Sequence, residues 1–152
     1  MKEKTLCVSA IKEGTVIDHI TAGKGLKIIR LLQLMEKEKK ITIGLNLKSS
    51  SMGMKDLIKI ENTFLTPSDT DHIAIFSPLA TVNVIKNYTI ANKFSVNMPK
   101  KIEKVLLCPN SQCITHAEHT STLFFIEENN DMIFLSCHFC EKLFSQEEIT
   151  EV

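Results

Sequence analysis

Four cysteines near the C-terminal end constrain this chain more than any other feature: Cys108-Pro-Asn-Ser-Gln-Cys113 and Cys137-His-Phe-Cys140. Each pair is tight enough to form one turn, and the 23 residues between the pairs suit a hairpin that brings them together. Thiolates are soft anionic ligands, and four of them close a tetrahedral zinc shell. The two-residue gap of the second pair is that of a zinc knuckle, and the four-residue gap of the first lies at the wide end of the range. Two disulfides, or a redox-active pair at Cys137 and Cys140, are the competing readings. A cytosolic chain rarely keeps disulfides, and a redox motif needs no second pair. A catalytic zinc keeps one position open; four cysteines leave none, with His116, His119 and His138 as bystanders. One structural zinc ion per chain is the expectation.

Whether such a module sits on nucleic acid is a question of charge. The 18 basic and 18 acidic residues cancel, whereas a phosphate backbone or an anionic membrane calls for a basic excess. From Cys108 to Cys140 there is no Lys or Arg, but there are Glu118, Glu127, Glu128 and Asp131. A zinc-ribbon nucleic-acid-binding protein is therefore the weaker alternative. No stretch approaches the ~20 apolar residues of a membrane helix, and the N-terminus lacks a signal peptide's apolar run. The expected location is the cytoplasm, with no membrane and no nucleic acid among the partners.

Patterning along the chain predicts an α+β fold. Leu6 to Ile11 alternates as a strand, with Cys7 an inert core thiol, and Gly14-Thr15 breaks it. Val16 to Ile20 follows as a short strand in which Asp18 and His19 should face opposite ways. Thr21-Ala-Gly-Lys-Gly25 opens a helix with Ile28, Leu31, Leu32 and Met35 on one face. Its Gly-Lys-Gly lacks the rest of a phosphate-loop signature. Ile41 to Leu47 is a strand, Lys48 to Met54 a loop, and Asp56 to Asn62 a strand with Leu57, Lys59 and Glu61 on one side. Thr66-Pro-Ser-Asp69 is a helix start with a hydroxyl cap, proline at the first position and an acid three residues on. Pro78 stops that helix. Thr81 to Lys86 and Tyr88 to Val96 are strands. These elements predict a ferredoxin-like sandwich, a mostly antiparallel sheet with two helices on one face. A linker over residues 97–101 then separates a domain at 1–97 from a small all-β, zinc-ribbon-like domain at 102–152. There, Ser121 to Glu127 and Met132 to Ser136 pair across an Asn129-Asn-Asp131 turn, and the charged tail from Ser145 frays. About 50 residues bury too little for a robust core, so metal must supply much of its stability. No nucleophile motif, catalytic carboxylate pair or Walker sequence is present, which favours a binding or regulatory chain over an enzyme.

Several blocks resemble the aspartate carbamoyltransferase regulatory chain: Gly14-Thr-Val-Ile-Asp-His-Ile20, Ile41-Thr-Ile-Gly-Leu-Asn-Leu47, Met54-Lys-Asp-Leu-Ile-Lys-Ile-Glu-Asn-Thr-Phe-Leu65, Cys108-Pro-Asn-Ser-Gln-Cys-Ile-Thr-His-Ala-Glu118 and Cys137-His-Phe-Cys-Glu-Lys142. The similarity runs in order from about Leu6 to Ser145. It implies a non-catalytic subunit that dimerises through its N-terminal domain and binds CTP, ATP and UTP there. It also implies that the zinc domain docks on the catalytic chain, so that regulatory dimers bridge catalytic trimers and control pyrimidine biosynthesis. By the resemblance, Asp18 and Lys59 serve the ribose, Lys93 the triphosphate, and His19 stands near the phosphates. Ala10, Ile11, Val16, Ile85, Tyr88 and Ile90 line the base pocket. Asn110, Glu141 and Lys142 face the catalytic chain, and Gln112 stands where the family often has asparagine.

Overall fold

The computed structural model describes residues 10–151. It forms two compact units, with the division of the chain falling between Asn97 and Met98.

In the first unit, β1 (Gly14–Thr21), α1 (Gly25–Leu31), β2 (Ile41–Ser49), β3 (Gly53–Glu61), α2 (Pro67–Phe76), β4 (Thr81–Lys86) and β5 (Thr89–Ser95) follow in order. The sheet order is β2-β3-β1-β4-β5, and every neighbouring pair is antiparallel. The first four strands and both helices have the βαββαβ order of the ferredoxin-like motif; β5 extends its edge. Branched residues alternate inward from the sheet: Ile17, Ile20, Ile58, Ile60 and Val82 are buried, as are Ile28, Ile29 and Leu31 of α1 and Ile73, Ala74 and Phe76 of α2. Leu57, Lys59 and Val16 fall on the alternate positions and so on the opposite face.

The two helices begin differently. Thr66 and Asp69 form a reciprocal capping box at α2, as its sequence predicts. No side chain of its own flank caps α1. Instead the buried Asp56 of β3 accepts hydrogen bonds from the Gly23 and Gly25 N–H groups, at 3.0 and 2.9 Å. A Cβ at Gly25 would stand 3.0 Å from that carboxylate, so glycine admits the acid to the helix end.

Four expectations for this unit are corrected. The first helix ends at Leu31, and a 3-10 turn (Leu34–Lys37) follows a left-handed Gln33. That break rotates Met35 outward to 76% exposure and buries Leu34 in its place. The expected loop at 48–54 is instead a tight hairpin with Ser49 paired to Gly53, the glycine taking φ 78°. Gly14 and Thr15 begin β1 rather than interrupting the chain. In β1, Asp18 and His19 do not simply alternate. The register slips by one residue between Ile17 and Ile20, a β-bulge with His19 at φ 55°. Residues 6–9 of the first expected strand, Cys7 included, lie outside the described residues; Ala10 and Ile11 carry no regular structure.

The second unit contains β6 (Lys101–Glu103), β7 (Leu106–Leu107), α3 (Ile114–Ala117), β8 (Leu123–Asn129), β9 (Met132–Cys137), β10 (Leu143–Ser145) and β11 (Thr150–Glu151). Strands run β10-β9-β8-β6 in one antiparallel sheet, and β11 pairs β7 in another. The β8–β9 hairpin turns through Asn130 and Asp131, both at positive φ, the geometry that suits right-twisted strands. Two corrections arise. Lys101, expected in the linker, already belongs to β6. The tail does not fray: Ile149 is fully buried and β11 pairs with β7. Among the described residues no helix is long and apolar enough to cross a membrane.

Candidate functional site

The first pair of cysteines enters from the chain leaving β7, the second from the end of β9 and the turn after it. Together Cys108, Cys113, Cys137 and Cys140 place their sulfurs within 4.8 Å of one another. Cys108 and Cys140 sulfurs are 3.7 Å apart, Cys113 and Cys137 sulfurs 3.8 Å. Three of the four residues are buried and Cys140 is half-buried.

Knuckle turns aim backbone N–H groups at these sulfurs. Burial pushes the Cys108 thiol well up, against the Asn110 N–H that points at it. Burial likewise raises Cys137, against the N–H groups of Cys140 and Phe139. At Cys140 burial also works upward, but the Lys142 N–H and the Asn110 side chain overcome it, and its pKa falls below the ordinary thiol value. Thr115 donates to the Cys113 sulfur at 3.2 Å, and His116 Nε2 lies 2.8 Å from the Cys108 carbonyl oxygen. Four sulfurs crowded in low dielectric with donors aimed at them suit thiolates around a cation, whose charge reverses the cost of burial. His116 is not a ligand but braces the first knuckle. His119 and His138 lie outside the cluster.

A second site lies on the sheet face of the first unit away from the core. It is a cleft of about 380 Å³ lined by Ala10, Ile11, Val16, Asp18, Leu57, Lys59, Asn83, Ile85, Tyr88, Ile90 and Lys93. Cross-strand register builds it. Lys59 pairs with Val16, Val16 with Asn83, and Asn83 with Lys93, so the four form one line across β3, β1, β4 and β5. At ~4.8 Å per strand the two lysines begin ~14 Å apart. On one side of this line Tyr88 and Ile90 are 64% and 58% exposed, large apolar groups flanking an open cleft. On the other side stands Asp18, its carboxylate 2.8 Å from the Lys55 ammonium and accepting the His19 N–H at 2.7 Å. Burial raises the Asp18 pKa, but the bonds from Lys55 and His19 and their charge outweigh it, so Asp18 titrates below the usual range. Burial lowers Lys59, against the pull of Asp18.

Of the ten residues singled out for this unit, nine line the cleft. His19 does not; its Nδ1 lies 3.1 Å from the Thr81 hydroxyl. Sequence reasoning passed over Leu57, Asn83 and Lys55. Leu57 shares its strand face with Lys59, so alternation alone could have found it. Asn83 was visible as a polar residue between Val82 and Val84. Nothing local marked Lys55, which reaches Asp18 because the β1 bulge brings the two together. Of the residues expected to face a partner, Asn110 is half-buried and Glu141 and Lys142 are exposed; all three sit on the knuckle turns.

Two family models together match nearly the whole chain: the aspartate carbamoyltransferase regulatory chain allosteric domain over residues 6–97, and the metal binding domain of the same chain over 100–150. The chain belongs to this family. The aspartate carbamoyltransferase regulatory chain of Photobacterium profundum is 49% identical over 150 residues, 99% of this chain and 97% of the relative. That of Aliivibrio salmonicida is 48% identical over 153 aligned residues, 100% and 99% of the two chains. That of Escherichia coli O139:H28 is 51% identical over 143 residues, 94% of each. This regulatory chain is thus a non-catalytic subunit. Its allosteric domain carries the cleft, and its metal-binding domain carries the four-cysteine cluster.

Proposed function

We propose that this regulatory chain senses nucleoside triphosphates in the cleft and relays their binding to catalytic trimers, which its dimers bridge through zinc-bearing domains. The observation that carries the reading is the line Lys59–Val16–Asn83–Lys93, with an apolar rim on one side and a neutralised carboxylate on the other. The base of CTP, ATP or UTP lies toward Ile11, Ile85, Tyr88 and Ile90, where backbone groups read its edge. Lys93 answers the phosphates, and Lys59 with Asp18 the ribose. Asp18 does not repel the anion, because Lys55 already balances it. His19 stands beside this end through the bulge.

Both purine and pyrimidine effectors occupy one cleft, so the response depends on how strongly each favours one of two assembly states. Such coupling is typically ~1–3 kcal/mol, and a nucleotide that bound both states equally would regulate nothing. The metal is zinc: four Zn–S bonds of ~2.3 Å in a tetrahedron hold sulfurs ~3.8 Å apart, close to the 3.7 and 3.8 Å found here. The ion positions Asn110, Glu141 and Lys142 for docking on the catalytic chain, while the N-terminal domain forms the homodimer. The setting is cytoplasmic pyrimidine biosynthesis.

Calorimetric titration of the zinc-loaded chain with CTP and with ATP, each competed against the other, tests the shared cleft. One mutually exclusive site per chain is expected, and Lys93→Ala should weaken both nucleotides about tenfold or more with zinc content and assembly unchanged. A folded, zinc-loaded chain that binds neither nucleotide would reduce the protein to a metal-dependent scaffold.

A further inference from the structure

Four thiolates around one divalent ion leave an excess of two negative charges, and a buried charge is tolerated where hydrogen bonds satisfy it. Backbone N–H groups answer part of that excess: Asn110 at Cys108, Phe139 and Cys140 at Cys137, Lys142 at Cys140. At Cys113 the donor is of another kind. The Thr115 hydroxyl points at its sulfur, 3.2 Å away, and the two residues are buried, at 7% and 2% exposure.

The placement is specific. Cys113 is the N-cap of α3, and Thr115 is the second residue of that helix. A helical threonine commonly returns its hydroxyl to a carbonyl three or four residues back; this one turns it to a sulfur two residues back. A neutral thiol is a weak acceptor, whereas a hydrogen bond to an ionised acceptor is roughly twice as strong as a neutral one. The hydroxyl is therefore matched to a metal-bound thiolate.

We propose that Thr115 is a positioning residue of the metal centre: its hydroxyl fixes the direction of the Cys113 sulfur, takes up part of its charge, and so tightens the hold on the ion. This rests on the zinc reading of the cluster and adds a fifth residue to it. Loss of such an outer partner typically weakens metal binding about 10–100-fold.

Competition of the full chain against a chelator of known zinc affinity, for wild type, Thr115→Val and Thr115→Ser, tests the assignment. Valine keeps the shape and loses the donor, and should bind zinc about tenfold or more weakly. Serine keeps the donor and should stay within about threefold of wild type. A packing defect alone would also weaken zinc, so cobalt(II) supplies a second readout. With cobalt(II) in place of zinc, the sulfur-to-metal charge-transfer band of Thr115→Val should move to longer wavelength, because a thiolate without its donor gives up electrons more easily. The visible bands that report the tetrahedron should keep their positions. Thr115→Ala removes the donor without added bulk and takes valine's place if valine prevents folding. A donor-free variant within about threefold of wild type for zinc, an unmoved charge-transfer band, or a Thr115→Ser that behaves like Thr115→Val would each overturn the proposal and leave the zinc reading intact. A wild-type chain that takes up neither metal would remove both.

Discussion

Asp18 shows how one side chain can serve fold and site together. Its carboxylate is held by the Lys55 ammonium and the His19 N–H, and the second of these exists because His19 takes a left-handed conformation in the bulge. The folded-state pKa lies below the unfolded one, so proton binding favours unfolding. The resulting stabilisation is complete above the unfolded value near 3.9 and disappears as pH falls through the folded value. The unfolding free energy of wild type should therefore exceed that of Asp18→Asn by a constant amount between about pH 7 and 5. The gap should close between about pH 4 and 2. Paired denaturant titrations across that range check it, and metal loss in acid affects both proteins alike. A gap independent of pH down to 2 would mean that the carboxylate's charge contributes nothing.

Among the secondary-structure elements, those decided by local chemistry were legible and those decided by distant partners were not. Thr66 and Asp69 cap α2 from within four residues, and the alternation of Leu57 and Lys59 already assigned them one face. The entry to α1 depends on Asp56, more than thirty residues away, which no local pattern reveals. The β1 bulge is equally silent, since period-2 reading assumes no extra residue. The cysteine cluster was legible because the thiolate ligands of a structural metal site recur as pairs at short spacings. Nine of the eleven residues that line the cleft were reached through family resemblance; spacing alone pointed to none of them. The tail misled for a compositional reason: Gln146, Glu147 and Glu148 read as solvated, yet Ile149 beyond them is buried and β11 closes the second sheet. Ile149→Ala should therefore cost the metal-binding unit about 2–5 kcal/mol, visible as a lower midpoint of its thermal or denaturant transition. Unchanged stability would return the tail to the frayed state that its charge suggests.

Taken as a whole molecule, the chain's neutrality conceals an opposition. Residues 98–152 hold four lysines against nine acids, so residues 1–97 carry the balancing excess of five positive charges. Overall charge thus hides this division: the unit with the lysine-lined cleft is basic and the metal-binding unit acidic. Their stabilities should differ too. The first unit buries a sheet face against two helices. The second has short strands around a few large side chains, including Ile102, Leu106, Phe124 and Leu135, and a core that small is marginal alone. Metal binding worth ~10–16 kcal/mol in small zinc modules is enough to decide whether such a unit folds. Chelation, or Cys113→Ser, should therefore collapse the amide resonances of residues 98–151 while those of 10–97 keep their positions. Nucleotide binding should survive within about twofold, because every cleft residue lies in the first unit. Joining of catalytic trimers should be lost, because Asn110, Glu141 and Lys142 hang on the knuckle turns that the metal holds. A metal-free chain that kept a dispersed spectrum for residues 98–151 and still assembled would show that packing suffices, leaving the ion no part in presenting the docking surface.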